Sequence, residues 1–221
     1  MSGRLLVVEG LDGSGKATQT ALLCRALEEM GNKVRRVSFP DYEQPSSALV
    51  RMYLGGEFGA DPAAVNAYAA SSFYAVDRFA SYVRFWKADY ESGAVIVADR
   101  YATSNMIYQL EKLPEHERDS FLHWLEDFEY CKLGIPRPDF VLYLDMPPEI
   151  SQRLLSERYG GDEAKKDIHE KNRKYLENCR ASAQYAAQKL GWQVINCACG
   201  DHPKTIEEIH GEVMRRIKGV F

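Results

Sequence analysis

The chain has 221 residues, 45% of them apolar and 27% charged, with a net charge of −4. These values suit one globular domain and argue against a general nucleic-acid binder, which carries a basic excess. Five cysteines at irregular spacing (Cys24, Cys131, Cys179, Cys197 and Cys199) argue against a disulfide framework and favour a reducing compartment.

The first element is a short apolar run, Leu5 to Val8, which suits a buried parallel strand over 5–9. It leads into GLDGSGKAT, Gly10 to Thr18. Gly10, Gly15 and Lys16 fit the phosphate-loop pattern G-x-x-x-x-G-K-[ST], with Ala17 where the metal-ligating hydroxyl normally stands. Ala21, Leu22, Leu23, Ala26 and Leu27 then recur at helical spacing, with Gly31 placed to end the helix. Strand, glycine loop and helix form the context in which backbone N–H groups and a helix N-terminus cradle phosphate. The bland alternative is a glycine-rich turn with a solvated lysine.

Further strands are expected near 34–39, 94–98, 140–144 and 193–196, and helices near 16–30, 62–91, 115–130, 147–157, 168–190 and 204–218. Strands separated by helices predict an α/β fold with a parallel five-stranded sheet covered on both faces. Ligands bind beyond the carboxyl ends of such strands, which singles out 10–18, 40–42, 99–101 and 145–147. The charged segment at about 157–172 has two adjacent glycines and no apolar stripe. It reads either as a solvated connection or as a small mobile lid whose cations Arg158, Lys165 and Lys166 close over phosphates. The whole of 1–221 is expected to be one domain with this lid inside it. No stretch reaches membrane-spanning length and no signal-peptide pattern is visible, so a cytoplasmic protein without a membrane partner is expected.

Asp99-Arg100-Tyr101 follows the third apolar run. An acid there can hold Mg²⁺ or its waters, and the arginine can clamp a phosphate; an Asp–Arg pair that merely caps the next helix remains open. Tyr74 and Arg78 lie four apart, on one helical face, and read either as a base-gripping pair or as a core tyrosine and a surface arginine.

VVEGLDGSGKATQ (7–19), FPDY (39–42), FYAVDR (73–78), DRYATSNMIYQ (99–109) and PRPDFVLYLDMPPE (136–149) resemble, in this order and spacing, the thymidylate kinases of the nucleoside monophosphate kinase group. The resemblance runs nearly end to end. It implies a three-layer P-loop kinase fold and transfer of the ATP γ-phosphate to dTMP, with Mg²⁺ as cofactor and a homodimer as the assembly. No nucleic-acid polymer is expected as a partner. Implied for ATP are Asp12, Gly13, Ser14, Gly15, Lys16, Ala17, Thr18 and Arg153. Asp12 also matches the acid that contacts the acceptor sugar, Tyr74 the ring that stacks on the pyrimidine, and Arg78 the donor to a base oxygen. Arg100 matches the arginine on the acceptor phosphate, Asp99 the metal-ordering acid, and Ser104, Tyr108 and Gln109 the lining of the acceptor pocket. Phe73, beside this pair, is expected to pack in the core.

Three departures stand out. Ala17 lacks the hydroxyl, and Thr18 is turned about 100° away from that position. Tyr42 replaces a cation that many members place near the acceptor phosphate, for which Arg51 is the substitute on spacing. Gly13 replaces an arginine of some members, which leaves Lys165, Lys166 and Arg158 as candidate transition-state cations. A related deoxynucleotide or deoxynucleoside kinase, with Asp41 as a base, and a catalytically weak nucleotide binder remain as alternatives.

Overall fold

The computed structural model describes residues 2–162, 167–170 and 172–219. Its centre is a parallel sheet with strand order β2-β3-β1-β4-β5. The strands are β1 (Arg4–Gly10), β2 (Val34–Ser38), β3 (Val95–Asp99), β4 (Phe140–Asp145) and β5 (Gln193–Asn196). All five expected strands are present to within a residue or so.

Alternation of side chains along β1 explains the layers. Leu6 and Val8 pack with Leu23 and Leu27 of α1 (Lys16–Glu29) and with Ile209, Val213 and Ile217 of the last helix (Ile206–Ile217). Leu5 and Val7 pack on the other side with Phe39, Trp86 and Tyr101. Register places Val8 beside Asp99, Ser38 beside Asp99, and Gly10 beside Leu144, so the loops after β1, β2 and β3 leave the sheet at one level.

The helices differ from the sequence pattern where geometry intervenes. The stretch expected over 62–91 is a 3₁₀ turn (Pro62–Ala64), α3 (Ala67–Ser81), a π turn (Tyr82–Trp86) and α4 (Lys87–Glu91). Asn66 caps α3 by accepting the Ala69 N–H (2.9 Å), which sets its start. The helix expected over 115–130 is α6 (Glu115–Glu126) followed by a π turn (Asp127–Lys132). Two short helices, α2 (Ala48–Leu54) and α5 (Thr103–Tyr108), were not among the expected periodic stretches. After α7 (Pro148–Arg158), helix α8 (Arg173–Leu190) begins five residues later than its pattern suggested. Asn172 caps it, accepting the Tyr175 N–H (2.9 Å), and 167–170 form a separate turn. A two-residue hairpin, β6 (Ala198–Cys199) with β7 (His202–Pro203), precedes α9 (Ile206–Ile217). Cys197 is buried and Cys199 exposed, so only the first is a core residue.

Candidate active site

Beyond the carboxyl end of β1 the chain turns sharply. Gly13 and Gly15 have φ of 80° and 88°, in the left-handed region that favours glycine, and α1 starts immediately at Lys16. The loop borders a cavity of about 560 Å³. Asp12, Gly13, Gly15, Lys16, Ala17 and Thr18 line it on one side, Asp99 and Arg100 on another, and Arg158 and Tyr159 at the end of α7 on a third. Ser14 is not on this wall; it is buried and its hydroxyl has no hydrogen-bond partner among the described residues. A Cβ at Gly13 would run into the Ser151 carbonyl oxygen and the Leu155 side chain of α7. The close approach of α7 therefore leaves no room for an arginine at that loop position.

Lys16 is buried and donates to the Leu11 carbonyl (2.8 Å). Burial and the neighbouring Arg100 lower its pKa to about 8, against the pull of Asp12, Asp99 and Glu9. A bound phosphate beside it would favour its charged form.

A second, smaller cavity of about 80 Å³ adjoins the first. Asp12, Phe39, Pro40, Tyr42, Arg100 and Asp167 line both. Its remaining walls include Tyr74 and Arg78 from α3 and Ser104, Tyr108 and Gln109 from α5 and its end. Asp12 and Arg100 form the partition. Arg100 ion-pairs with Asp12, Tyr108 donates to Asp12 (3.1 Å), and Arg100 donates to the Tyr108 hydroxyl (3.2 Å). Burial would raise the Asp12 pKa, but Arg100 and Lys16 outweigh it and hold the carboxyl well below its ordinary value. Arg100 has φ 67°, an uncommon conformation for a non-glycine residue, which turns its side chain from the end of β3 toward the partition.

The remaining expected residues divide. Gln109 is fully buried on the wall of the smaller cavity, and its carboxamide has no hydrogen-bond partner among the described residues. Ser104 lines the cavity, yet its hydroxyl lies 2.9 Å from both oxygens of Glu9. Arg51 does reach the loop of Tyr42, but it donates to the Tyr42 and Gln44 carbonyls (2.9 and 3.2 Å) and lines neither cavity. Arg153 also lies off the cavity and donates to the Asp201 carbonyl beside the hairpin (2.9 Å). Asp145 is bound by Arg180 of α8 (2.6 and 3.0 Å) and serves the helix packing. Asp41 is on neither wall; its N–H donates to Asp77 (2.8 Å). Phe73 packs beside Tyr53 and Ile168, as expected. Lys165 and Lys166 lie outside the described residues.

Several site residues had no place in the sequence reading. Glu9, buried near the end of β1, accepts from the Tyr101 N–H (3.1 Å) and the Thr103 hydroxyl (2.7 Å) and so ties α5 to the loop. Arg36 lies 3.4 Å from the Ala17 carbonyl and 3.8 Å from Asp99. From the charged segment after α7, Asp167 and Glu170 line the larger cavity, and Asp167 and His169 the smaller one. His169 stacks on Tyr108 (5.4 Å between centroids, 12°), and its Nε2 is 3.0 Å from the Tyr53 hydroxyl. Ile168, an apolar residue inside a charged run, packs with Tyr53 and Ala70 and was the available signal that this segment docks.

Among the described residues no group of three His, Cys, Asp or Glu side chains is arranged to hold a metal ion. Magnesium keeps several waters and takes phosphate oxygens with one or two carboxylates, so Asp99 on the wall of the larger cavity fits that demand.

A phosphate loop at the carboxyl end of a parallel sheet, opening on two adjoining cavities divided by one acid–arginine pair, is the arrangement of a P-loop phosphotransferase. The thymidylate kinase family model matches residues 8–212, and the chain belongs to that family. It is 30% identical to the thymidylate kinase of Mycobacterium tuberculosis strain CDC 1551 over 196 residues, covering 86% of this chain and 90% of that protein. It is 30% identical to a probable thymidylate kinase of Thermococcus kodakarensis over 216 residues, 96% of each. A solved structure of thymidylate kinase from Candida albicans superposes with a TM-score of 0.69 at 20% identity, covering 99% and 92% of the two chains, and supports the α/β sheet architecture.

Proposed function

We propose that the protein transfers the γ-phosphate of ATP to dTMP, giving ADP and dTDP. The observation that carries this reading is the Asp12–Arg100 partition, which stands between a phosphate-loop cavity and a pocket with the rings of Tyr74 and Tyr108 and the guanidinium of Arg78. Family membership supports the same substrates.

The acceptor phosphate is ionised near neutral pH, its second pKa being about 6, so the reaction needs no general base. Catalysis is positioning and charge neutralisation. Lys16 and the loop N–H groups hold the donor phosphates. Arg100 holds the acceptor phosphate at the partition, and Asp12 accepts the acceptor's sugar hydroxyl. Asp99 would hold Mg²⁺ with water and the donor phosphates; the ion supplies neutralisation of charge on the β- and γ-oxygens. Arg158 is the described lid cation on the donor wall, and Lys165 and Lys166 are further candidates. The segment around 157–172 acts as a lid within a single domain and excludes water, the competing acceptor.

Three finer points belong to the same reading. The protein works in the cytoplasm, where its five free cysteines stay reduced; no helix among the described residues is long and apolar enough to cross a membrane. It acts on free nucleotides. It pairs as a homodimer through the outer side of α3. The deoxynucleoside alternative loses its base, because Asp41 lines neither cavity.

A coupled ADP-release assay with Mg²⁺ and a panel of nucleoside monophosphates tests the proposal. dTMP should stimulate ADP release at least a hundredfold over hydrolysis by water, on the scale of a well-oriented acceptor. Release no faster with dTMP than without any acceptor would refute it.

A further inference from the structure

The inner stripe of α6 reads Phe121, Leu122 and Leu125, each at most 5% exposed. The next position at that spacing, in the π turn that follows, is Glu129, which is fully buried. An acid in an apolar stripe is costly unless it is paired and hydrogen-bonded. Its partner is Arg78. The Arg78 Nε donates to Glu129 Oε2 (3.0 Å) and Nη2 donates to Oε1, so both carboxylate oxygens grip one edge of the guanidinium. The two side chains are 2% and 0% exposed. Burial works against the Arg78 charge, but Glu129 outweighs it and holds the pKa above its ordinary value.

Arg78 nonetheless lines the acceptor cavity. Nη1 makes no hydrogen bond to any described residue. Asn105, a second residue of that wall, has its amide 3.4 Å from Glu129 Oε1. Glu129 therefore lies beneath two cavity-lining donors without touching the cavity itself.

We propose that Glu129 is the positioning residue that makes this acceptor pocket select pyrimidines bearing a carbonyl oxygen at C4, thymine and uracil, over cytosine, which carries an amino group there. The inference rests on the reading of the acceptor as dTMP. A guanidinium has five N–H donors and no acceptor. With Nε and Nη2 committed to Glu129, Arg78 cannot swing away, and what it offers the base is donor N–H alone. Thymine presents an oxygen where cytosine carries an amino group. Cytosine would set donor against donor and leave a buried N–H unpaired, which is the kind of mismatch that gives strong discrimination. A purely structural ion pair would stabilise the fold without setting that preference.

The test is steady-state kinetics of the full chain carrying Glu129→Gln, Glu129→Asp, Arg78→Met, and Arg78→Met with Glu129→Gln. Glu129→Gln should raise the dTMP KM roughly ten- to a hundredfold, leave the ATP KM within about twofold, and cut the dTMP-over-dCMP preference in kcat/KM by about tenfold or more. Glu129→Asp keeps the charge and should lie between wild type and Glu129→Gln. On the Arg78→Met background, Glu129→Gln should change the dTMP KM by no more than about twofold, because the bidentate contact to Arg78 carries the effect and the 3.4 Å approach of Asn105 adds little. A wild-type dTMP KM and preference in a folded Glu129→Gln variant would overturn the proposal, as would additive losses in the cycle or equal losses for ATP and dTMP. Should Glu129→Gln not fold, Glu129→Asp decides, and a dTMP KM and preference equal to wild type would refute the role. A wild-type enzyme indifferent to dTMP would instead refute the function, whatever Glu129 does.

Discussion

Lys16, Arg100, Asp12, Asp99 and Glu9 share one small volume, and their charges are balanced without ligand only by close pairing. Lys16 has its pKa lowered to about 8 by burial and by Arg100. The sign follows directly. As pH rises through about 8 the free protein loses the Lys16 proton, whereas bound phosphate favours the charged form. ATP affinity should therefore fall about tenfold between pH 7 and pH 9, measured by calorimetric titration of the nucleotide. Lys16→Arg, which keeps its charge throughout, should bind ATP with a flat profile over that range; a flat wild-type profile would show that Lys16 remains fully charged without ligand. At this scale the sequence was partly legible. Glycines, lysine and the Asp-Arg pair announce themselves by type and spacing, and they meet at the two cavities. Glu9 and Glu129 do not, because an acid among apolar residues reveals its role only when its partners, distant in sequence, are in view. Arg51 and Arg153 show the converse: cations at suitable spacing satisfy backbone carbonyls instead.

Strands β1, β3 and β4 were readable because a parallel strand buried on both faces leaves an apolar run; the edge strands β2 and β5, VRRVS and QVIN, are more exposed and carry only short apolar signals. Helices α2 and α5 are too short for periodicity to register, and the two π turns interrupt longer patterns without a glycine or proline to mark them. The charged segment at 157–172 was read through its cations, but within it residues 167–170 are held by other means. Ile168 and His169 are buried against Tyr53 and Tyr108, and Asp167 accepts the N–H groups of His169 and Glu170 (2.8 and 2.9 Å). Burial, with the nearby Asp12 and Glu170 carboxyls, pushes the Asp167 pKa up to about 7. A carboxyl raised on docking stabilises the docked turn fully below its unfolded value of 3.8, and that contribution is lost as pH rises through about 7. Hydrogen exchange of the His169 and Glu170 amides, corrected for intrinsic rate, should therefore show protection falling between pH 6 and pH 8. Asp167→Asn should remove that dependence. Constant wild-type protection would mean that Asp167 stays ionised in the docked turn.

On the scale of the molecule, α3 faces two ways. Its inner side carries Tyr74 and Arg78 to the smaller cavity and Asp77 to the 41–46 loop. Its outer side, continued into the following π turn, exposes Val76, Phe79 and Val83 at 45%, 41% and 50%, a stripe at helical spacing that water covers poorly. Burying such a face in a symmetric pair is the usual way such a stripe is accommodated, and a stable interface of this kind removes about 1,600 Å² from water. The homodimer and the base-reading residues would then share one helix, so assembly and acceptor binding should be coupled while donor binding should not. Phe79→Asp with Val83→Asp places charge in the middle of the stripe and should convert a sedimenting dimer into monomer. The same variant should weaken dTMP about three- to tenfold, on the scale of coupling through a shared element, while ATP, held by the loop after β1, changes little. A wild-type protein that sediments as a monomer at micromolar concentration would remove the dimer, and a monomeric variant with unchanged dTMP KM would uncouple α3's two faces.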